Sequence, residues 1–302
     1  MTDVLETTDV KDVTKRLADA VESRGWLAII GDAGCGKTTS LRSAIERTPD
    51  LITVQPACLQ AERIDIGYVL SWVVWDLANQ GYGEGEQPRR SLAAREVQAC
   101  RLLGEAAHHR RVVVVLEEAQ RLHWRTLQSL KRMREMAFCG MSPLFTLVLV
   151  GQPELENVLA IRREVRYRVR RMRVRGLAPG EFDAYAQLRG WPKLLSADAQ
   201  DSLDGLTWTE ERGRSYIEVE ARLEDASRLA GVRGHKHIER EDVDDVFTSL
   251  RSRLVKCDLS LGALARKLGI PKSTVHAAME RGSGKVYEQA RAAVEQVERK
   301  SA

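Results

Sequence analysis

An α/β fold, a parallel sheet with helices on both faces followed by a helical C-terminal part, is predicted by three observations. The 302-residue chain carries three short apolar runs, "WLAII", "VVVVL" and "LVLV", each ending at glycine or acidic residues. The first run enters a glycine-rich loop that opens a helix. After Gly176 the apolar residues recur at helical spacing instead.

Composition sets the limits. An apolar fraction of 43% and a charged fraction of 30% are ordinary for a soluble globular chain of roughly two domains. No apolar run approaches the ~20 residues that a membrane helix needs. The polar, acidic start "MTDVLETTDVKD" is unlike an export signal. Cys35, Cys58, Cys100, Cys139 and Cys257 are scattered, without a C-x-x-C pair, which points to a reducing cytoplasm rather than a disulfide framework or zinc site. A net charge of +4 is too small to argue for nucleic acid by itself.

The first element is Trp26 to Ile30, an apolar run of the kind a buried parallel strand shows. Gly31, Asp32, Ala33, Gly34, Cys35, Gly36, Lys37 and Thr38 then fit the G-x-x-x-x-G-K-[ST] pattern completely, with Thr39 following. Leu41, Ala44 and Ile45 continue at helical spacing to a stop at Pro49. Glycines let the backbone wrap phosphate, and the helix N-terminus offers free N–H groups and a positive dipole end. Lys37 is expected at the β- and γ-phosphates of ATP and Thr38 on Mg²⁺.

The second strand expected, Val112 to Leu116, ends at Glu117 and Glu118. Side chains at such a strand end point into the crevice where open α/β sheets bind ligands. Glu117 is expected on the magnesium side and Glu118 as the group that polarises water. The third, Leu147 to Val150, leads into Gly151-Gln152-Pro153, where Gln152 either touches the γ-phosphate or sits in a plain turn.

The loop at Gly31 to Thr38, "VVVVLEEAQ" and "LVLVGQPELE", in that order, resemble the AAA+ ATPases. Within them, "EEAQ" and "VGQPEL" resemble a branch that includes the transposition ATPases (phage Mu B protein and the Tn-seven-type regulator) and the ExeA-type secretion ATPase. The resemblance spans roughly residues 8 to 250. Glu117 departs from that branch, which has Asp there. The resemblance implies a nucleotide held between subunits and an arginine donated by a neighbour.

In that fold the stretch "IRREVRYRVRRMRVRGLAP" holds the donated arginine. Val165, Tyr167, Val169, Met172 and Val174 alternate with arginine as in a strand, Arg168 being the first choice for the catalytic finger and Arg166 the second. A basic strand edge that wards off aggregation fits the same pattern. The resemblance implies a nucleotide-binding core with an N-terminal helix (residues 1–175) and a helical lid (176–250), which leaves a C-terminal helix-turn-helix-like domain (251–302). In the lid, Ile217, Ala221, Leu223 and Leu229 mark a helix face, and "HIEREDVDDVFTSL" a capped last helix. Arg214 is a candidate lid arginine that senses nucleotide, or an exposed helix position. His108, His109, His235 and His237 show no acid or cysteine spacing for a metal and are expected in solvated loops or helix ends.

Two regions offer contacts to double-stranded DNA. Arg121, Arg125, Gln128 and Arg132 share one helical stripe opposite Leu127, Leu130, Met133 and Ala137; it suits a pore that tracks phosphates, or an ordinary solvated face. "LSLGALARKLGIPKSTVHAAMERG", Leu259 to Gly282, resembles a helix-turn-helix. Leu261, Leu264, Ala265 and Leu268 form its first apolar face, and Gly269 turns the chain. Lys272, Ser273, Thr274 and His276 then start the groove-reading helix. A hairpin for protein contact is the competing reading. The Mu B protein has its comparable element at the N-terminus, so here the module stands relocated. The expected activity is ATP hydrolysis coupled to assembly of copies, ring or filament, on duplex DNA, handing a target site to a transposase. The ExeA-type alternative would need a membrane segment; the other alternative is a nucleotide-sensing regulator without turnover.

Overall fold

In the computed structural model, residues 5–56, 64–161, 163–210, 213–247, 260–281 and 284–301 are described. Cys58, Arg162, Leu250, Cys257, Leu259 and Gly282, which figure in the expectations above, lie outside the described residues. The chain divides into two units, Met1–Ala178 with Glu211–Ser215, and Pro179–Glu210 with Tyr216–Ala302.

The first unit is built on five parallel strands: β1 (Trp26–Ile30), β2 (Leu51–Val54), β3 (Arg111–Leu116), β4 (Thr146–Gly151) and β5 (Val169–Arg173), ordered β2-β3-β4-β1-β5. β1 is apolar throughout and β4 nearly so, with Thr146 at its start, and both are fully buried because helices cover both faces of the sheet. The edge strands are less buried: β2 alternates, burying Ile52 and Val54, and β5 leaves Arg170 and Arg173 exposed. Ile30 pairs with Gly151, and Leu116 with Leu149, so β1, β3 and β4 end together at one rim of the sheet.

One face is covered by α1 (Thr8–Glu22) and α2 (Lys37–Arg47), which bury Val13, Leu17, Leu41 and Ala44 against Leu27, Ile29, Val113 and Val148. The other is covered by α3 (Ile66–Asn79), α4 (Leu92–His109), α5 (Trp124–Glu135), α6 (Leu155–Ala160) and α7 (Arg163–Arg166). Side-chain caps start several helices: Thr7 accepts from Val10 N (3.3 Å), Asp65 from Tyr68 N (2.9 Å) and Ser91 from Ala94 N (3.2 Å).

Two sequence expectations shift here. Residues 163–166 form a helical turn that buries Val165, and the strand begins only at Val169. Two apolar residues spaced by one arginine are too few to separate period 2 from a single helical turn. Arg121 lies in a 3₁₀ turn (Ala119–Arg121) ahead of α5, and Ala137 falls beyond its end and is exposed, so the basic stripe on the helix itself is Arg125, Gln128 and Arg132.

The second unit is helical: α8 (Phe182–Leu188), α9 (Ala197–Thr207), α10 (Tyr216–Arg233), α11 (Arg240–Phe247), α12 (Leu261–Leu268), α13 (Lys272–Arg281) and α14 (Lys285–Ser301). α10 buries Val219, Leu223, Ala226, Leu229 and Ala230, whereas Ile217 is 66% exposed and Ala221 also faces solvent, so the expected face is rotated. His235 is not a solvated histidine. Its Nδ1 lies 2.8 Å from Asp242 and its Nε2 3.3 Å from Glu241, because the acidic first turn of α11 meets the end of α10. Asp242, fully buried, is also bound by Arg233 (2.9 Å) and Glu239 N (3.0 Å), a closed ion-pair knot rather than an open metal site.

Candidate functional site

The rim where β1, β3 and β4 end gathers the candidate residues. The chain leaves β1 at Gly31, where an added Cβ would stand 2.3 Å from Val174 O and 2.7 Å from Cys35 Sγ; only glycine lets the loop pass β5 so closely. The loop closes at Gly36, the N-cap of α2, with φ of 90°, a left-handed conformation that suits glycine. The first-turn N–H groups of α2, from Lys37 to Thr39, therefore face the loop's interior as an anion cradle. Lys37 Nζ donates to Gly31 O (2.8 Å) and Asp32 O (2.7 Å). Cys35 is buried beneath; desolvation pushes its thiol up and Lys37 pulls it partly back, so it packs as a neutral group.

Opposite the cradle, Thr38 Oγ1 donates to Glu117 Oε2 at 3.3 Å, joining the start of α2 to the end of β3. Glu117 Oε1 accepts from Gln55 Nε2 at 2.8 Å. Glu118 follows in a left-handed backbone conformation, φ 51°. Its Oε2 accepts from Gln120 Nε2 at 2.9 Å, with Arg121 Nε 3.8 Å away. Gln152, at the end of β4, donates its backbone N–H to Gln120 Oε1 at 3.1 Å. A hydroxyl and a carboxylate within hydrogen-bond reach form the hard oxygen pair that suits Mg²⁺, so the residues fit a magnesium–nucleotide site.

Gln55 and Gln120 were not picked out from sequence. Gln55 is the first polar residue after the apolar Val54, followed by Pro56; Gln120 is the last letter of "EEAQ". Both sit just past strand ends, the signal that could have found them.

The structure separates the arginine candidates from this rim. Val169 pairs with Trp26, at the opposite end of β1 from the loop, and Arg173 pairs with Ile30. Four residues of strand amount to roughly 13 Å, so Arg166 and Arg168 lie at the far rim of their own sheet. Arg168 is exposed and bound to Glu135 at 2.7 Å; Arg166 is exposed on α7.

Arg214 is not an exposed helix residue. It lies ahead of α10, is 1% exposed, and donates its backbone N–H to Arg175 O at 2.6 Å. Its neighbour Ser215 donates to Ala33 O in the loop at 3.1 Å. Asp9 on α1 clamps the same turn, accepting from Arg175 N (2.8 Å) and Gly176 N (2.7 Å). Gly176, φ 82°, has no room for a Cβ, which would meet Arg214 O at 1.9 Å.

In the second unit, α12 ends at Gly269, φ 64°, and α13 begins at Lys272. Leu264, Ala265, Val275, Ala290, Ala293 and Val294 form one small core of α12, α13 and α14. Lys272, Ser273, Thr274 and His276 all face solvent at the start of α13. Arg125 and Arg132 face solvent on α5, with Arg125 stacked over Trp124 at 5.3 Å.

Comparison with known proteins follows this geometry. Residues 19–159 match the family described as "AAA domain". No curated protein matches the chain in sequence. The chain is similar in structure to Cdc6p from Pyrobaculum aerophilum, with TM-score 0.57 and 17% identity over 98% of this chain and 81% of that one. It is similar to the ORC1 protein of Aeropyrum pernix, solved in complex with DNA, with TM-score 0.55 and 16% identity over 96% and 78%. It is similar also to the Walker-type ATPase paby2304 of Pyrococcus abyssi, with TM-score 0.52 and 15% identity over 88% and 78%. The parallel sheet and its loop are the AAA+ P-loop fold, and no described helix is long and apolar enough to cross a membrane.

Proposed function

We propose that the protein is an ATP-hydrolysing, DNA-binding ATPase that assembles with copies of itself on duplex DNA and presents target sites to a transposase. One observation carries the ATPase part: Lys37, Thr38, Glu117 and Glu118 converge at a single rim, with Thr38 and Glu117 in contact at 3.3 Å. The N–H groups of the Gly31–Thr39 loop and the Lys37 ammonium bind the β- and γ-phosphates. Thr38 and Glu117 would hold Mg²⁺, which when bound neutralises phosphate oxygens. Glu118 would accept a proton from the attacking water, and Gln152 would contact the terminal phosphate. Arg168, too far from its own loop, serves a neighbour's γ-phosphate, with Arg166 as the alternate. Loss of that phosphate then weakens the seam between copies.

The DNA and transposition parts rest on the "EEAQ" and "VGQPEL" resemblance and on the solvent-facing Arg121, Arg125, Arg132, Lys272, Ser273, Thr274 and His276. Buried Arg214, in the segment whose Ser215 bonds the loop, reports nucleotide occupancy to the helical part. A second reading, a DNA-bound ATPase without a transposase partner, is favoured by the likeness to the ORC1 protein solved with DNA.

Sedimentation with a non-hydrolysable ATP analogue and a DNA duplex tests the core of the reading. Large, salt-sensitive assemblies should need both ligands. Lys37→Ala should weaken nucleotide binding by about two decades, since it removes charge-assisted bonds worth roughly 1.5–3 kcal/mol each, and abolish assembly. A chain that stays solitary and binds DNA equally with and without nucleotide overturns it. Stimulation of strand transfer by a cognate transposase separates the first reading from the second.

A further inference from the structure

We infer that Gln120 is a positioning residue that ties the carboxylate of Glu118 to the end of β4. The inference rests on the ATPase reading and names how that site is held and informed.

The geometry is specific. The side-chain amide of Gln120 spans two strands' ends: Nε2 donates to Glu118 Oε2 at 2.9 Å, and Oε1 accepts from Gln152 N at 3.1 Å. The orientation of the amide follows from chemistry, because a backbone N–H can only donate and a carboxylate can only accept. The oxygen must face Gln152 and the nitrogen must face Glu118. Gly151 keeps the space for this: a Cβ there would stand 2.8 Å from Gln120 Oε1. Glu118 needs such a holder. It lies past the end of β3 in a left-handed backbone conformation, and its other nearby charge, Arg121, is 3.8 Å away and half-exposed. Ala119, fully buried, anchors the 3₁₀ turn between Glu118 and Gln120, so the amide swings from a fixed base.

The consequence is directional. A displacement of the Gln152 backbone moves Oε1, and the rigid amide carries that displacement to the Glu118 carboxylate. The β4 end thereby reports to the water-activating group without any contact between Gln152 and Glu118.

Three variants test it in the full chain assembled on a DNA duplex, with steady-state ATP hydrolysis and binding of a fluorescent ATP analogue. Gln120→Glu keeps the acceptor for Gln152 N but replaces the donor toward Glu118 by a second carboxylate; Gln120→Met removes both bonds at similar volume. Both should lower kcat about 10- to 100-fold, as a misplaced catalytic group does, with KM and analogue affinity unchanged and only a small fall in melting temperature, since the one half-buried N–H of Gln152 loses its acceptor in Gln120→Met. Gln120→Glu should be at least as impaired as Gln120→Met, because repulsion adds to the lost bond. Parental kcat in both variants overturns the inference, and so does a loss of analogue affinity or melting temperature parallel to the loss of kcat, which marks a merely structural role. Glu118→Gln distinguishes the two levels. If it hydrolyses like the parent, or if the parent itself does not turn over, the ATPase reading fails and takes the inference with it. If Glu118→Gln is inactive while both Gln120 variants are normal, only the inference fails.

Discussion

The rim of the sheet at Gly31, Glu117 and Gly151 and the arginine-rich stretch from Arg163 to Arg175 are both dense in charge, and they treat it differently. At the rim Lys37, Glu117 and Glu118 are each bonded inside the chain. Lys37 binds two loop carbonyls, Glu117 is shared by Thr38 and Gln55, and Glu118 is held by Gln120. Along the arginine stretch, Arg163, Arg166 and Arg170 face solvent, while Arg168 and Arg173 each have an ion pair with a half-exposed glutamate. Tyr167 among them is 79% exposed. Exposed pairs are worth about 0–1 kcal/mol, so Arg168 can exchange Glu135 for another anion at little cost. One region pairs its charges within a single chain; the other leaves most of its charges at the surface.

The largest expected effect tests that contrast directly. Arg168→Ala should lower hydrolysis by assembled protein about a thousandfold, the lower end of what a trans arginine contributes, and leave nucleotide binding by the lone chain intact. Glu118→Gln should be comparably slow with binding intact. Mixing the two variants should restore part of the rate, since a seam can then pair one chain's Glu118 with the other's Arg168. Failure of the mixture to recover, with each variant still assembling, would place Arg168 and Glu118 at the same seam member and break the contrast. Recovery with Arg166→Ala in place of Arg168→Ala moves the finger by two residues and keeps it.

The same contrast explains what was legible in the sequence. Gly31 to Thr38 announces its geometry because one short segment supplies both the backbone freedom and the charges, between a strand and a helix that are each recognisable alone. Glu117 and Glu118 are legible because a run of four valines can only be a buried strand with an end. Gln55 and Gln120 were not, since a glutamine after a strand has no meaning until the register sets Leu116 against Leu149 and brings the strand ends level. Val165 went to a helical turn although its spacing allowed a strand, because burial against the core, not local period, decided it. Ile217 misled for the same reason in reverse: an apolar residue near a helix start remained in solvent.

A middle-sized effect is expected where the two regions meet. The backbone N–H groups of Arg175 and Gly176 are both held by Asp9, and the turn lies next to Arg214 and to Ser215, which bonds the glycine-rich loop. Asp9→Ala leaves two donors without their carboxylate, one of them in a buried residue, and should cost about 2 kcal/mol. For a chain of this size that is a fall of several degrees in melting temperature, at roughly 2–4 °C per kcal/mol. Nucleotide should restore more of the loss than it adds to the parent, because the clamped turn sits against the loop it occupies. An unchanged melting curve would mean that the turn holds itself and that Asp9 is only an acidic residue in the first turn of α1.

The smallest effect concerns the one arginine of the stretch that faces inward. Arg171 pairs with Ala28 on the inner neighbour strand, is half-buried, and its Nε and Nη2 are buried with no hydrogen-bond partner among the described residues. A guanidinium in that position carries a desolvation cost that its bonds do not offset. Arg171→Met, of similar length and apolar, should therefore be neutral or stabilise the chain by about 1 kcal/mol, read as a small rise in the denaturation midpoint with no change in slope. Hydrolysis by the assembled protein decides how far the contrast extends. If Arg171→Met hydrolyses as the parent does, the stretch's work belongs to its solvent-facing members. If the variant is stable yet fails to assemble, an inward arginine is held at a cost because the neighbouring copy draws it out, and the division between the two regions runs through β5 itself.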